Sequence, residues 1–114
     1  MEKQLTIDGR QVKFKSTGAF LLRYKAQFGR DALQDIIKLQ EALGENSEVK
    51  NISALDLEVF YNLIWTLAKT ADPDIEPPME WLDSFSTFPL MDILPELMDM
   101  IFGCLGSTVK SKKK

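Results

Sequence analysis

The sequence has 114 residues, 45% of them hydrophobic and 10% aromatic, which suits one domain with one core and excludes a chain disordered throughout. Fourteen basic and seventeen acidic residues give a net charge of −3. Four of the lysines (Lys110, Lys112, Lys113, Lys114) fall in the last five positions, so residues 1–109 carry −7, a body that repels phosphate backbones and argues against nucleic acid as a partner.

The chain opens with a β-hairpin. Asp8-Gly9 is a preferred two-residue turn because both positions need positive φ. The register that this turn demands sets Ile7 opposite Arg10, Leu5 opposite Val12 and Lys3 opposite Phe14. It thereby gathers Leu5, Ile7, Val12 and Phe14 on one face and Gln4, Thr6, Gln11, Lys13 and Lys15 on the other. Two strands alone are marginal in water, so the apolar face must rest on helices or on another copy.

Ser16-Thr17 is a helix-capping signal, and Phe20, Tyr24 and Phe28 follow at helical spacing as an aromatic stripe, read as core. Gly29 ends that helix and Asp31 caps a second, with Leu33, Ile36, Ile37, Gln40 and Leu43 on one side and Gly44 as its stop. Glu45 to Asn51 read as a surface loop. Ser53 starts a third helix whose wide face (Leu55, Val59, Phe60, Leu63, Ile64, Leu67, Ala68, Ala71) marks it as the central one. Tyr61 and Trp65 lie off that stripe, packing on the hairpin or the fourth helix or forming part of an interface.

Asp72 to Pro78 form a stiff connector. Pro78 or Met79 opens a short helix with Trp81, Leu82 and Phe85, broken by Ser86-Thr87. A last helix spans about Pro89 to Leu105, its stripe being Leu90, Leu94, Leu97, Met98, Ile101 and Leu105. Within it Pro95 either introduces a kink or marks a fresh first turn. Met91, Ile93, Met100 and Phe102 fall outside the stripe, so this helix is apolar on more than one side. The reading is a mainly α (α+β) fold: an N-terminal β-hairpin and about five helices in one compact domain, residues 1–109, with a basic flexible tail, residues 110–114.

Side chains for catalysis are scarce. Histidine is absent and Cys104 is the lone cysteine, so neither a serine triad nor a cysteine–histidine pair can be built, and no cofactor or phosphate-binding glycine pattern occurs. Asp72, Asp74 and Glu76 alternate without the calcium-loop pattern, and are read as a solvated acidic loop rather than a metal site. The polar N-terminus lacks a signal peptide, and the apolar stretch Met100 to Leu105 is too short to span a bilayer. A protein-binding role without catalysis, cofactor, metal, nucleic acid or membrane is therefore expected. Its candidate contact residues are Tyr61, Trp65, Trp81, Met91, Met98, Met100 and Phe102, because a methionine-rich helix apolar all round can repack around varied partners. On this reading Tyr61, Trp65 and Trp81 are exposed, and replacing Met98 and Met100 by serine weakens client binding while leaving helicity intact.

The order of features resembles one known family. The hairpin, the helix Ser16–Phe28, the run Phe28-Gly29-Arg30-Asp31, a helix ending Trp65-Thr66-Leu67-Ala68-Lys69-Thr70-Ala71-Asp72 and then Met79-Glu80-Trp81-Leu82-Asp83-Ser84-Phe85 resemble the tail assembly chaperones of long-tailed bacteriophages and prophages of Gram-positive bacteria. The likeness runs from about Leu5 to Leu105 and lies in order and spacing, not in any single motif. It implies a host-cytoplasmic scaffold that binds and solubilises the tape measure protein, helps recruit tail tube subunits, self-associates and is absent from the finished virion. In that family a longer form is often made by ribosomal frameshifting, and Lys112-Lys113-Lys114 implies an A-rich message of the kind on which ribosomes slip.

Three alternatives are weaker. A small acidic adaptor or inhibitor that mimics nucleic acid needs a denser acidic face. A DNA-binding regulator needs a shorter turn between the second and third helices and the opposite charge. An enzyme would have to work with carboxylates alone.

Overall fold

The computed structural model describes residues 1–42 and 57–103, with the backbone alone for residues 40–42. Strands β1 (Glu2–Ile7) and β2 (Arg10–Lys15) are followed by helices α1 (Phe20–Phe28), α2 (Ala32–Ala42), α3 (Leu57–Ala71), α4 (Pro78–Asp83) and α5 (Leu90–Phe102). This is the expected hairpin followed by five helices. The loop assigned to Glu45–Asn51, the Ser53 cap, the Gly44 stop, Cys104 and the lysine tail lie outside the described residues.

The hairpin has the expected register, from Lys3 opposite Phe14 to Ile7 opposite Arg10. Asp8 and Gly9 take φ of 54° and 75°, the left-handed pair that a two-residue turn of this hand requires. Ile7, Val12 and Phe14 are buried, and β2 lies against α3. Side chains pin the hairpin to the C-terminal third. The Asp8 carboxylate accepts the Ser86 amide (2.8 Å), Arg10 donates to the Ser84 hydroxyl (2.9 Å) and stacks over the Phe85 ring (4.0 Å), and Lys3 donates to the Glu96 carbonyl (2.8 Å).

Helix α1 starts later than Ser16-Thr17 suggests. A turn over residues 17–19 precedes it, in which the Thr17 hydroxyl accepts the Ala19 amide, so the polar side chain acts on the turn and not on the helix. Its end is as expected: Gly29 sits in the left-handed region (φ 69°) and its amide donates to the Lys25 carbonyl. Phe20 and Tyr24 are buried and Phe28 is half-buried.

Helix α3 is the centre of the molecule, touching β2 and all four other helices. Burial covers every position from Val59 to Ala68 except Tyr61, including the polar Asn62 and Thr66. Thr66 is tolerated because its hydroxyl donates back to the Asn62 carbonyl one turn earlier (2.8 Å). After α3, the Pro-rich connector turns back so that the Trp65 indole donates to the Glu76 carbonyl (2.9 Å). Trp81, Phe85 and Phe88 then form a ring cluster with centroids 5.2 to 5.7 Å apart. Helix α5 runs unbroken through Pro95, so this proline does not open a new first turn.

Helix α2 is rotated relative to its sequence reading. Ala32, Asp35, Ile36 and Leu39 face inward, while Leu33 and Ile37 face out. The buried carboxylate explains the rotation. Asp35 receives two hydrogen bonds from the Arg30 guanidinium (2.7 and 2.8 Å) and one from the Tyr24 hydroxyl (2.8 Å), so burying it leaves no unmatched charge and turns α2 about its axis.

Candidate functional site

Four of the seven contact residues read from the sequence are core in this fold. Trp65, Trp81, Met98 and Met100 are 3%, 2%, 4% and 1% exposed. Their burial has specific causes. Trp65 is enclosed by the edge of Phe28 and the connector that accepts its indole N–H, and Trp81 by Phe85 and Phe88. The two methionines lie on faces of α5 that the fold covers, so the expectation that serine at Met98 and Met100 spares the helix is reversed. Tyr61 and Phe102 are half-buried against the core, and Met91 stays open at 50%.

Exposed apolar side chains gather instead on α1 and α2. Leu22 is 75% exposed, Leu33 48% and Ile37 42%. Leu22 and Leu33 line one groove of about 490 Å³, together with Leu21, Ala32, Lys25 and Asp31. Ile37 follows Leu33 one turn along α2 and extends the apolar row. Among the described residues the other exposed large hydrophobics are Met1, Leu57, Met79 and Met91, and none of them lines this groove.

Polar contacts tie α1 to α2 across the turn beside the groove. Lys25 of α1 pairs with Asp31 before α2 at 3.4 Å, on the groove wall. Behind the wall, Tyr24 of α1 and Asp35 of α2 are joined by their buried hydrogen bond, with Arg30 of the turn gripping the same carboxylate. The Arg30 guanidinium holds the Asp35 carboxyl below the usual carboxylate range against the opposing effect of burial. Burial, then the adjoining Asp35 carboxylate, pushes the Tyr24 hydroxyl far above the ordinary phenol range. Tyr24 is therefore a donor and Asp35 an acceptor throughout the physiological range, and the angle between the two helices is fixed by ionised and neutral partners that do not switch there.

The sequence did carry a signal for this site: the adjacent pairs Leu21-Leu22, Ala32-Leu33 and Ile36-Ile37. Neighbouring residues on a helix project about 100° apart, so in a short helix packed on one side the second member of such a pair often falls at or beyond the edge of the buried stripe. The fold buries Ala32 and Ile36, half-buries Leu21 and leaves the second member of each pair outside.

A second cleft of about 310 Å³ lies between β2 and the end of α3, lined by Arg10, Lys13, Asp72 and Trp81 among others, with both charge signs in its wall. Among the described residues no group of three or more His, Cys, Asp or Glu is placed to hold a metal ion, and no helix is long and apolar enough to cross a membrane. Comparison with family models, with curated proteins and with solved structures returns no match to this chain.

Proposed function

We propose that this protein is an assembly chaperone without enzymatic activity, of the kind that keeps the tape measure protein of a long phage tail soluble, and that it holds amphipathic helices of that client in the α1–α2 groove. The observation that carries the reading is the open aliphatic row Leu22, Leu33 and Ile37 beside a preformed groove, on a chain whose aromatic residues are largely used as core. An apolar helix face docks in such a groove through side chains spaced at i, i+3, i+4 and i+7. The order of elements that resembles tail assembly chaperones supports the choice of client, and the acidic body suits a protein that must hold an aggregation-prone partner in solution. Recruitment of tail tube subunits, self-association and action in the host cytoplasm belong to the same proposal.

The test is co-expression with the polypeptide of a very long helical reading frame beside the gene. Wild-type protein should keep that polypeptide in the supernatant. The double variant Leu22→Ser, Leu33→Ser should lose this ability, while its own melting temperature moves little, because both side chains already face solvent and surface changes are worth roughly ±0.5 kcal/mol. Full client retention by the double variant would refute the groove as the binding site.

A further inference from the structure

We infer that the helix received by the α1–α2 groove is acidic along the flanks of its apolar stripe. The inference rests on the groove being the client site, as proposed above, and adds the chemistry of the client.

Charge is distributed unequally over the described residues. Residues 1–42, which build the hairpin and the groove, hold eight basic and five acidic side chains, a net of +3. Residues 57–103 hold one basic side chain, Lys69, against nine acidic ones, a net of −8. The one exposed aliphatic groove described above is thus built from the positive part of an otherwise negative molecule.

Within the groove helices, the carboxylates beside the groove are already engaged. Of the three between residues 18 and 42, Asp31 pairs with Lys25 and Asp35 with Arg30, and Glu41 follows at the far end of α2. Arg23 and Lys38 are the remaining cations of this stretch; both are exposed, and they adjoin Leu22 and Ile37, the ends of the aliphatic row. A helix docked there with lysines or arginines on its flanks would meet like charge. One with glutamates or aspartates would find opposite charge within the distance over which salt at physiological strength still leaves an interaction, about 8 Å.

Two synthetic helices of roughly 20 residues, long enough to be helical in isolation, test this. They share one leucine stripe and differ only in flanks of glutamate or lysine, and binding to the full chain is followed by fluorescence anisotropy. The glutamate-flanked helix should bind about tenfold more tightly at about 0.02 M salt, with the preference shrinking toward unity at about 0.5 M. Arg23→Gln and Lys38→Gln should each reduce the preference about twofold to threefold, and Leu22→Ser should weaken both helices. Equal binding of the two helices, or tighter binding of the lysine-flanked one, overturns the acidic-client inference and leaves the groove reading standing. Binding of neither helix, or binding that Leu22→Ser does not weaken, removes the groove reading itself. A shift in sedimentation caused by Leu22→Ser without client would assign the groove to a second copy of the chain and overturn both.

Discussion

Asp35 is the residue on which the α1–α2 region turns. It is a buried carboxylate with three donated hydrogen bonds, and its carboxyl group stays ionised below the usual range. Because its affinity for a proton is lower in the folded chain than in the unfolded one, its contribution to stability is complete above the unfolded pKa and is lost as pH falls through the folded one. Acid unfolding should therefore begin at α1–α2, and Tyr24→Phe, which removes one of the hydrogen bonds that lower that pKa, should move the acid midpoint upward in a circular-dichroism titration. The same substitution should lower stability at neutral pH by about 1.5–3 kcal/mol, the range for losing a hydrogen bond to a charged group. Tyr24 itself acts at the opposite end of the scale. Its hydroxyl resists ionisation in the fold, so the stability it contributes is intact below the ordinary phenol range and declines as pH rises beyond it. Met98→Ser and Met100→Ser should each cost about 3 kcal/mol or more in a denaturant melt, since each opens a cavity and buries a hydroxyl. A folded double variant with unchanged stability would contradict their place in the core.

At the scale of elements, the hairpin was wholly legible, because turn chemistry and strand alternation specify the same register and leave no freedom. Helix α3 was legible as the centre for a similar reason: its apolar positions outnumber what one face can hold. What escaped was direction. On α2 the apolar residues occupy adjacent positions, so periodicity alone permits two rotations of the helix, and the choice between them is made by a carboxylate whose partners lie five and eleven residues away. On α5 the reading of surplus apolar surface was sound as arithmetic and misplaced in space, because only contacts among distant elements decide which excess is covered. Helix α5 also offers a direct test of backbone energetics. Pro95 lies past the first turn, has no N–H to donate to the Met91 carbonyl, and is exposed. Pro95→Ala should restore that bond and stabilise the protein by about 1–3 kcal/mol, read as a rise in melting temperature. An unchanged or lower melting temperature would mean that the proline ring is bound into the packing.

For the whole molecule, positive charge at the hairpin and groove and negative charge over the C-terminal half make a polarised body, and client capture should weaken as salt is raised. The ties between Asp8 and Ser86, Arg10 and Ser84, and Lys3 and Glu96 join residues 74 to 93 positions apart. This has an implication for synthesis. The strands leave the ribosome first, yet the helix packed against the second strand ends 56 residues after it. At about 5–20 residues per second, the greasy side of the newborn ribbon goes unsheltered for roughly three to eleven seconds. A protein proposed to guard other polypeptides thus passes through an interval in translation when it is itself the one exposed.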